Sequence, residues 1–219
     1  MKPGYSISSC PDCGATIERR FLRIEKSKLL IVEGKDEEQF FTAMIDYLQL
    51  GDVQVAGIGG KTKIRPELKA LVKEPPFAAV SSLGVVRDAD TDPEAAFLSV
   101  RDALAAARLP CPKKPCQLIK GPPKVHVMIL PSPAKKGSLE DVCLESIVNT
   151  PGMICAAAFF ACLGKSGVTL PKQFSKAKVR AFLASKENPT LPLGLAATKG
   201  YWPFEHEAFK PLRQFLMSL

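Results

Sequence analysis

The sequence predicts an α/β domain on a mainly parallel sheet flanked by helices, closing with a helical C-terminal third. Three observations carry this. Short apolar runs of strand length alternate with amphipathic helical stretches from Lys28 to Leu130. Two of the first three runs stop at a glycine or an acid, where a parallel strand feeds a crossover. Beyond Ser138 the apolar spacing is helical only.

Residues 1–27 are polar and Gly- and Pro-containing, and read as a loosely packed N-terminal extension; the domain proper is 28–219. Regular structure is expected from Lys28-Leu-Leu-Ile-Val-Glu-Gly34, the first strand. Asp36–Leu48 follows as a helix: Phe40, Met44, Ile45 and Leu48 share one face, and acids fill the first turn, where the dipole favours them. Val53–Ile58 is the second strand and Pro66–Val72 the second helix. Ala78–Val86 is the third strand, ending at Arg87-Asp88-Ala89-Asp90. Asp92 as N-cap and Pro93 in the first turn open a helix to Arg108. Leu109–Pro123, with five prolines, is a loop, and Lys124–Leu130 is the fourth strand. Ser138 and Asp141 are spaced as a capping box. Met153–Leu163, Lys172–Ser185 and Glu205–Met217 complete the helical third.

Composition sets bounds on function. Of 219 residues, 46% are apolar and 24% charged, the balance of a folded globular domain. Thirty basic against 22 acidic residues give a net charge of +8, compatible with a polyanionic partner such as nucleic acid. The seven cysteines are odd in number and no secretory leader precedes them, so a reducing, cytoplasmic setting is expected. The longest apolar stretch, Met153–Leu163, is about half a membrane span, and no membrane association is expected.

The chemistry concentrates in acids at strand ends. Glu33 ends the first strand, and Asp88 and Asp90 end the third; ligands of open parallel sheets collect outside such ends. Asp88 and Asp90, two apart on an extended chain, would point to the same side. Glu37, four after Glu33, can face the same space. Converging carboxylates repel unless a cation with a taste for oxygen joins them, which points to Mg²⁺ or Mn²⁺, one ion or two. Asp92 is read as a cap and Glu38 as solvated surface. Arg87 neutralises the acids or contacts a phosphate, while Lys113, Lys114, Lys120, Lys124, Lys135 and Lys136 form either a basic rim or a solvated loop. Cys10-Pro-Asp-Cys13 is half a zinc knuckle without a second Cys-x-x-Cys; Cys111 and Cys116 on the Pro-rich loop could complete a site, but zinc is not expected. His126 and His206 read as packing or surface residues.

The run Leu-Leu-Ile-Val-Glu33-Gly-Lys-Asp-Glu37, followed by a hydrophobic strand and Asp88-Ala-Asp90, resembles the Toprim domain of topoisomerases, DnaG-type primases and OLD-family nucleases. The Glu33–Glu37 spacing and Gly137-Ser-Leu-Glu140-Asp look most like the OLD branch, and the stretch from Lys28 on also resembles an uncharacterised family of small stand-alone Toprim-like proteins. The resemblance implies a Toprim-like, Rossmann-like fold and makes Glu33, Asp88 and Asp90 the primary catalytic and metal-site acids. Glu37 and Glu140 would complete a second metal position. It further implies a lysine near the reacting phosphate, for which Lys199 and Lys178 are candidates, and a phosphodiesterase acting on nucleic acid. The sequence has no Walker A loop, so the ATPase attached to OLD nucleases would be a separate partner. Strand passage is not expected, since no domain here supplies the topoisomerase tyrosine.

Two other readings stand beside this one. A haloacid-dehalogenase-type phosphatase would use Asp88 as nucleophile and Asp90 as general acid, but leaves Glu33 unexplained. A metal-stabilised, non-catalytic Toprim-like binding or regulatory module would keep the acids without turnover.

Overall fold

In this computed structural model the described residues are 5–9, 13, 16–20 and 23–219. The chain begins with an antiparallel pair, β1 (Tyr5–Ser9) and β2 (Thr16–Arg20), in register from Tyr5↔Arg20 to Ser9↔Thr16. Regular structure therefore starts before Lys28, earlier than the sequence suggests. Both strands are short and largely polar, so they lack the apolar run that marks a core strand.

The main body alternates as expected: β3 (Lys28–Val32), α1 (Lys35–Tyr47), β4 (Val53–Gly57), α2 (Ile64–Leu71), β5 (Ser82–Asp88), α3 (Pro93–Ala106) and β6 (Lys124–Leu130). The third strand is shifted from the expected range, because Pro75–Ala79 forms a 3-10 turn and pairing starts only at Ser82. The sheet has the order β4-β3-β5-β6 and every pair is parallel. Chain direction across the sheet reverses between β3 and β5, which creates a crevice at their carboxyl ends.

Alternation along the strands sorts the two cores. Leu29 and Ile31 of β3 join Leu83 and Val85 of β5 beneath α2 and α3. Leu30, Val32, Val86, Met128 and Leu130 face the other way, beneath α1 and the C-terminal helices. Both faces being covered, the strands are near-continuous apolar runs, as parallel sheets require. Asp92 caps α3 by accepting from the Ala95 N–H at 3.0 Å.

The C-terminal third is helical: α4 (Leu139–Ile147), α5 (Pro151–Lys165), α6 (Phe174–Leu183), α7 (Leu193–Thr198) and α8 (Lys210–Met217). The capping box at Ser138 and Asp141 is present. Helix α7 is absent from the sequence reading, since six residues between prolines and a glycine carry no measurable periodicity. Trp202 fixes it, donating from Nε1 to the Leu193 carbonyl at 2.9 Å while packed on Phe182. His126 is buried, 2.8 Å from the Ser218 hydroxyl, and His206 caps the turn before α8, so neither histidine is at the site. No single helix among the described residues is long and apolar enough to cross a membrane.

Close packing of α7 on α1 depends on Gly194. Its N–H donates to Asp36 Oδ1 at 2.6 Å, and a Cβ there would collide with the Asp36 backbone carbonyl. Gly194→Ala is expected to lower stability by about 1–3 kcal/mol in urea unfolding, by forcing α7 away from α1; unchanged stability would show that the contact gives way freely.

Candidate functional site

Glu33 follows directly on β3, and Asp88 is the last residue of β5, so the switch in strand order sets them side by side. Gly34 after Glu33 leaves the space into which Glu37 turns back from the first turn of α1: the Glu37 Oε2 lies 2.9 Å from where a Gly34 Cβ would stand. Glu140 enters from the first turn of α4. The N-terminus of α4 is aimed at Asp88, whose Oδ1 accepts the Leu139 N–H at 3.0 Å. That donor and the positive helix end favour the charged carboxylate.

They do not win. Burial first, then the charges of Glu140, Glu33 and Glu37, push the Asp88 carboxyl up to about 8. Glu33 is also raised, by burial, against the pull of Arg87 and with the push of Asp90 and Glu37. Glu37 is raised by burial, with Glu140 and Asp36 adding to it. These mutual effects place Glu33, Glu37, Asp88 and Glu140 in one electrostatic cluster.

Three cations reach the acids among the described residues. Arg87 Nε stands 3.5 Å from Glu33 Oε1, with the side chains only 12% and 18% exposed. Neither of those two atoms has a hydrogen-bond partner, so this buried pair is loosely made. Lys61 Nζ lies 2.7 Å from Asp90 Oδ2, and Lys176 Nζ lies 3.7 Å from Glu140 Oε1. Glu140 Oε2 in turn accepts the Ser138 hydroxyl at 2.6 Å. Sequence reasoning missed Lys61 and Lys176, because nothing local marks one lysine among many; the Gly59-Gly60 pair before Lys61 was the available signal.

The expectation that Asp88 and Asp90 continue one extended run is corrected. Asp90 takes a left-handed backbone, φ +50, and bridges to Gly137 through paired N–H···O bonds of 2.8 Å. The β5 strand thus ends at Asp88, whose carboxyl is half-buried in the cluster, while Asp90 is turned to an exposed lip. The lysines expected at the site from the sequence stand apart from these three ion pairs. Lys178 Nζ lies over the Phe174 ring at 4.3 Å, and Lys199 is exposed just after α7. Lys113 and Lys114 are exposed on the Pro-rich loop. Lys135 and Lys136, also exposed, directly precede the Gly137 that bridges Asp90.

The donor set is wholly oxygen, and the buried Glu33 Oε1 lacks a hydrogen-bond partner; both suit a hard divalent cation. Among the described residues, no three His, Cys, Asp or Glu side chains stand close enough together to grip an ion as they are placed. For zinc, Cys10 lies outside the described residues, Cys13 and Cys116 are exposed, and the Cys111 thiol donates to the Leu109 carbonyl at 3.3 Å.

A family model described as "Protein of unknown function (DUF3226)" matches residues 27–219. The chain belongs to the DUF3226 family. No curated protein matches it. Solved structures similar to this DUF3226 chain include the C-terminal region of the Xanthomonas campestris pv. campestris OLD protein phased with iodine, at 12% identity and a TM-score of 0.39, covering 89% of this chain and 86% of that one. The mercury- and platinum-phased structures of the same region align at 12% identity and TM-scores of 0.34, covering 88% of this chain and 97% and 95% of theirs.

The raised Asp88 carboxyl makes stability pH-dependent. The unfolded chain ionises Asp88 near pH 4 and the folded chain near pH 8, so the folded state holds the extra proton between these values. Its contribution therefore turns against folding as pH rises through that window and levels off above it. In chelator, Asp88→Asn is expected to be the more stable protein, its advantage widening by up to about 1.4 kcal/mol per pH unit between pH 5 and 8. Urea unfolding at both pH values measures this, and a gap independent of pH would contradict a raised Asp88 carboxyl in the folded chain.

Proposed function

We propose that this DUF3226 protein is a Toprim-type phosphodiesterase that cuts nucleic acid with Mg²⁺ or Mn²⁺. The observation that carries the reading is the gathering of Glu33, Glu37, Asp88 and Glu140 at the switch point of the sheet, where burial first and the neighbouring carboxylates second push Asp88 up to about 8. Such a concentration of like charge costs stability and is expected where a function needs it.

Glu33, Asp88 and Asp90 would hold the first ion, and Glu37 and Glu140 a second. A bound divalent ion supplies charge to a phosphoryl oxygen and lowers the pKa of a water. The chain's own residues do the rest. Partial burial of Glu33 and Asp88 strengthens every charge interaction there. The Leu139 N–H holds one Asp88 oxygen in place and leaves the other free. Ser138 orients Glu140. Lys176, already beside Glu140, is placed to meet a phosphate oxygen, and replaces Lys178 and Lys199 as the lysine of choice. Arg87 balances Glu33 while the acids are without a cation. A dehalogenase-type mechanism fits less well, because it leaves Glu33, beside Asp88 at the strand ends, without a role.

Supercoiled plasmid, linear DNA and RNA incubated with Mg²⁺ or Mn²⁺ test the proposal. Cleavage is expected, reduced about a hundredfold or more by Glu33→Ala. Cleavage equal in the variant would overturn the assignment of Glu33. Metal binding without cleavage of any substrate would leave a metal-stabilised binding module and refute the enzyme.

A further inference from the structure

The loop after β4, Gly59-Gly60-Lys61-Thr62-Lys63, is tied to the acidic crevice at two points. The Gly60 N–H donates to the Glu33 carbonyl at 2.7 Å, and Lys61 Nζ sits 2.7 Å from Asp90 Oδ2. Both glycines have positive φ, +77 and +121, which a side chain would strain. Gly60 is engaged at both ends, its carbonyl accepting the Lys63 N–H at 2.9 Å, while Gly59 is exposed and a Cβ there would meet only the Lys63 side chain, its Nζ at 3.6 Å. Two lysines thus flank the exposed Gly59 at the rim of an anionic crevice.

Why a cation-bearing loop should rim a site of carboxylates needs a reason. Lys61 partly balances Asp90, but an exposed pair of this kind adds little stability. A rim of two lysines does suit an anion that has to approach the acids and would otherwise be repelled by them.

We propose that the Gly59–Lys63 loop is a phosphate-binding lip, and that its ligand is the phosphodiester backbone of a nucleic acid lying across the crevice. The proposal rests on the phosphodiesterase reading and gives it a substrate-holding element. Lys61 has two partners in turn: Asp90 when no substrate is present, and a backbone phosphate when one is. Lys63 holds the phosphate from the other side of Gly59. The contact is to the sugar–phosphate chain, so binding by the lip is independent of sequence and sensitive to salt.

The test is fluorescence anisotropy of a short labelled DNA duplex and a short labelled RNA, with the full chain in Ca²⁺ across a range of KCl concentrations. Lys61→Gln and Lys63→Gln are each expected to weaken binding about threefold to tenfold at low salt, and to lower the slope of log K against log salt by about one. Lys61→Arg should restore the slope. Both positions are exposed, so the variants keep the fold. Wild-type affinity and slope in both Gln variants would overturn the lip, as would failure of the wild-type chain to bind either probe. Loss of slope in a protein that never cleaves would keep the lip and refute only the nuclease, so the two readings fail separately.

Discussion

Repulsion among carboxylates confined at one end of the sheet is the constraint around which this structure is organised. Glu33 just past β3 and Asp88 at the end of β5 sit at the carboxyl ends of adjacent parallel strands, and Glu37 and Glu140 come in from the first turns of two helices. In water such charges would be screened, but the crevice is partly buried and screening is weak there. The fold answers with the N-terminus of α4, with Arg87 beneath Glu33, and with two lysines at the margins. Burial, with the repulsion that remains, outweighs these, and Asp88 accordingly holds its proton at neutral pH. A divalent cation would complete the balance.

The scaffold makes this concentration of charge tolerable by being apolar almost everywhere else. Alternate residues of β3 feed two separate cores, so the strand ends are held rigidly from both faces. Helix α1, which carries Glu37, is held from behind by α7 through the close approach at Gly194. Helix α4, which carries Glu140, is fixed by its capping box and by the bond from the Ser175 hydroxyl to Asp141. Packing far from the acids therefore decides where the acids sit.

Much of this was legible in the sequence, for identifiable reasons. Apolar runs such as Leu29–Val32 mark strands because a sheet covered on both faces buries every residue. The acids at Glu33 and Asp88 could be placed because strand ends are visible in sequence and parallel sheets gather ligands there. The partners that come from afar could not. Lys61 and Lys176 meet the acids only through tertiary folding, and among so many lysines neither stands out. The turn at Asp90 was hidden for a similar reason: its left-handed backbone is set by pairing with Gly137, a residue far along the chain. Helix α7 was too short to show a period, and β1 and β2 too polar to resemble core strands.

The central claim is that these acids form one site which a divalent cation would complete, and proton release measures it most directly. Titration of the protein with Mg²⁺ in a calorimeter, repeated in buffers of different ionisation enthalpy, counts the protons displaced per ion bound. With Asp88 at about 8, this carboxyl is about nine-tenths protonated at pH 7 and must lose its proton to take a cation. The account predicts release of roughly one proton per ion at pH 7, falling toward zero by pH 9. Binding without proton release at pH 7, or with the same release at both pH values, would contradict it.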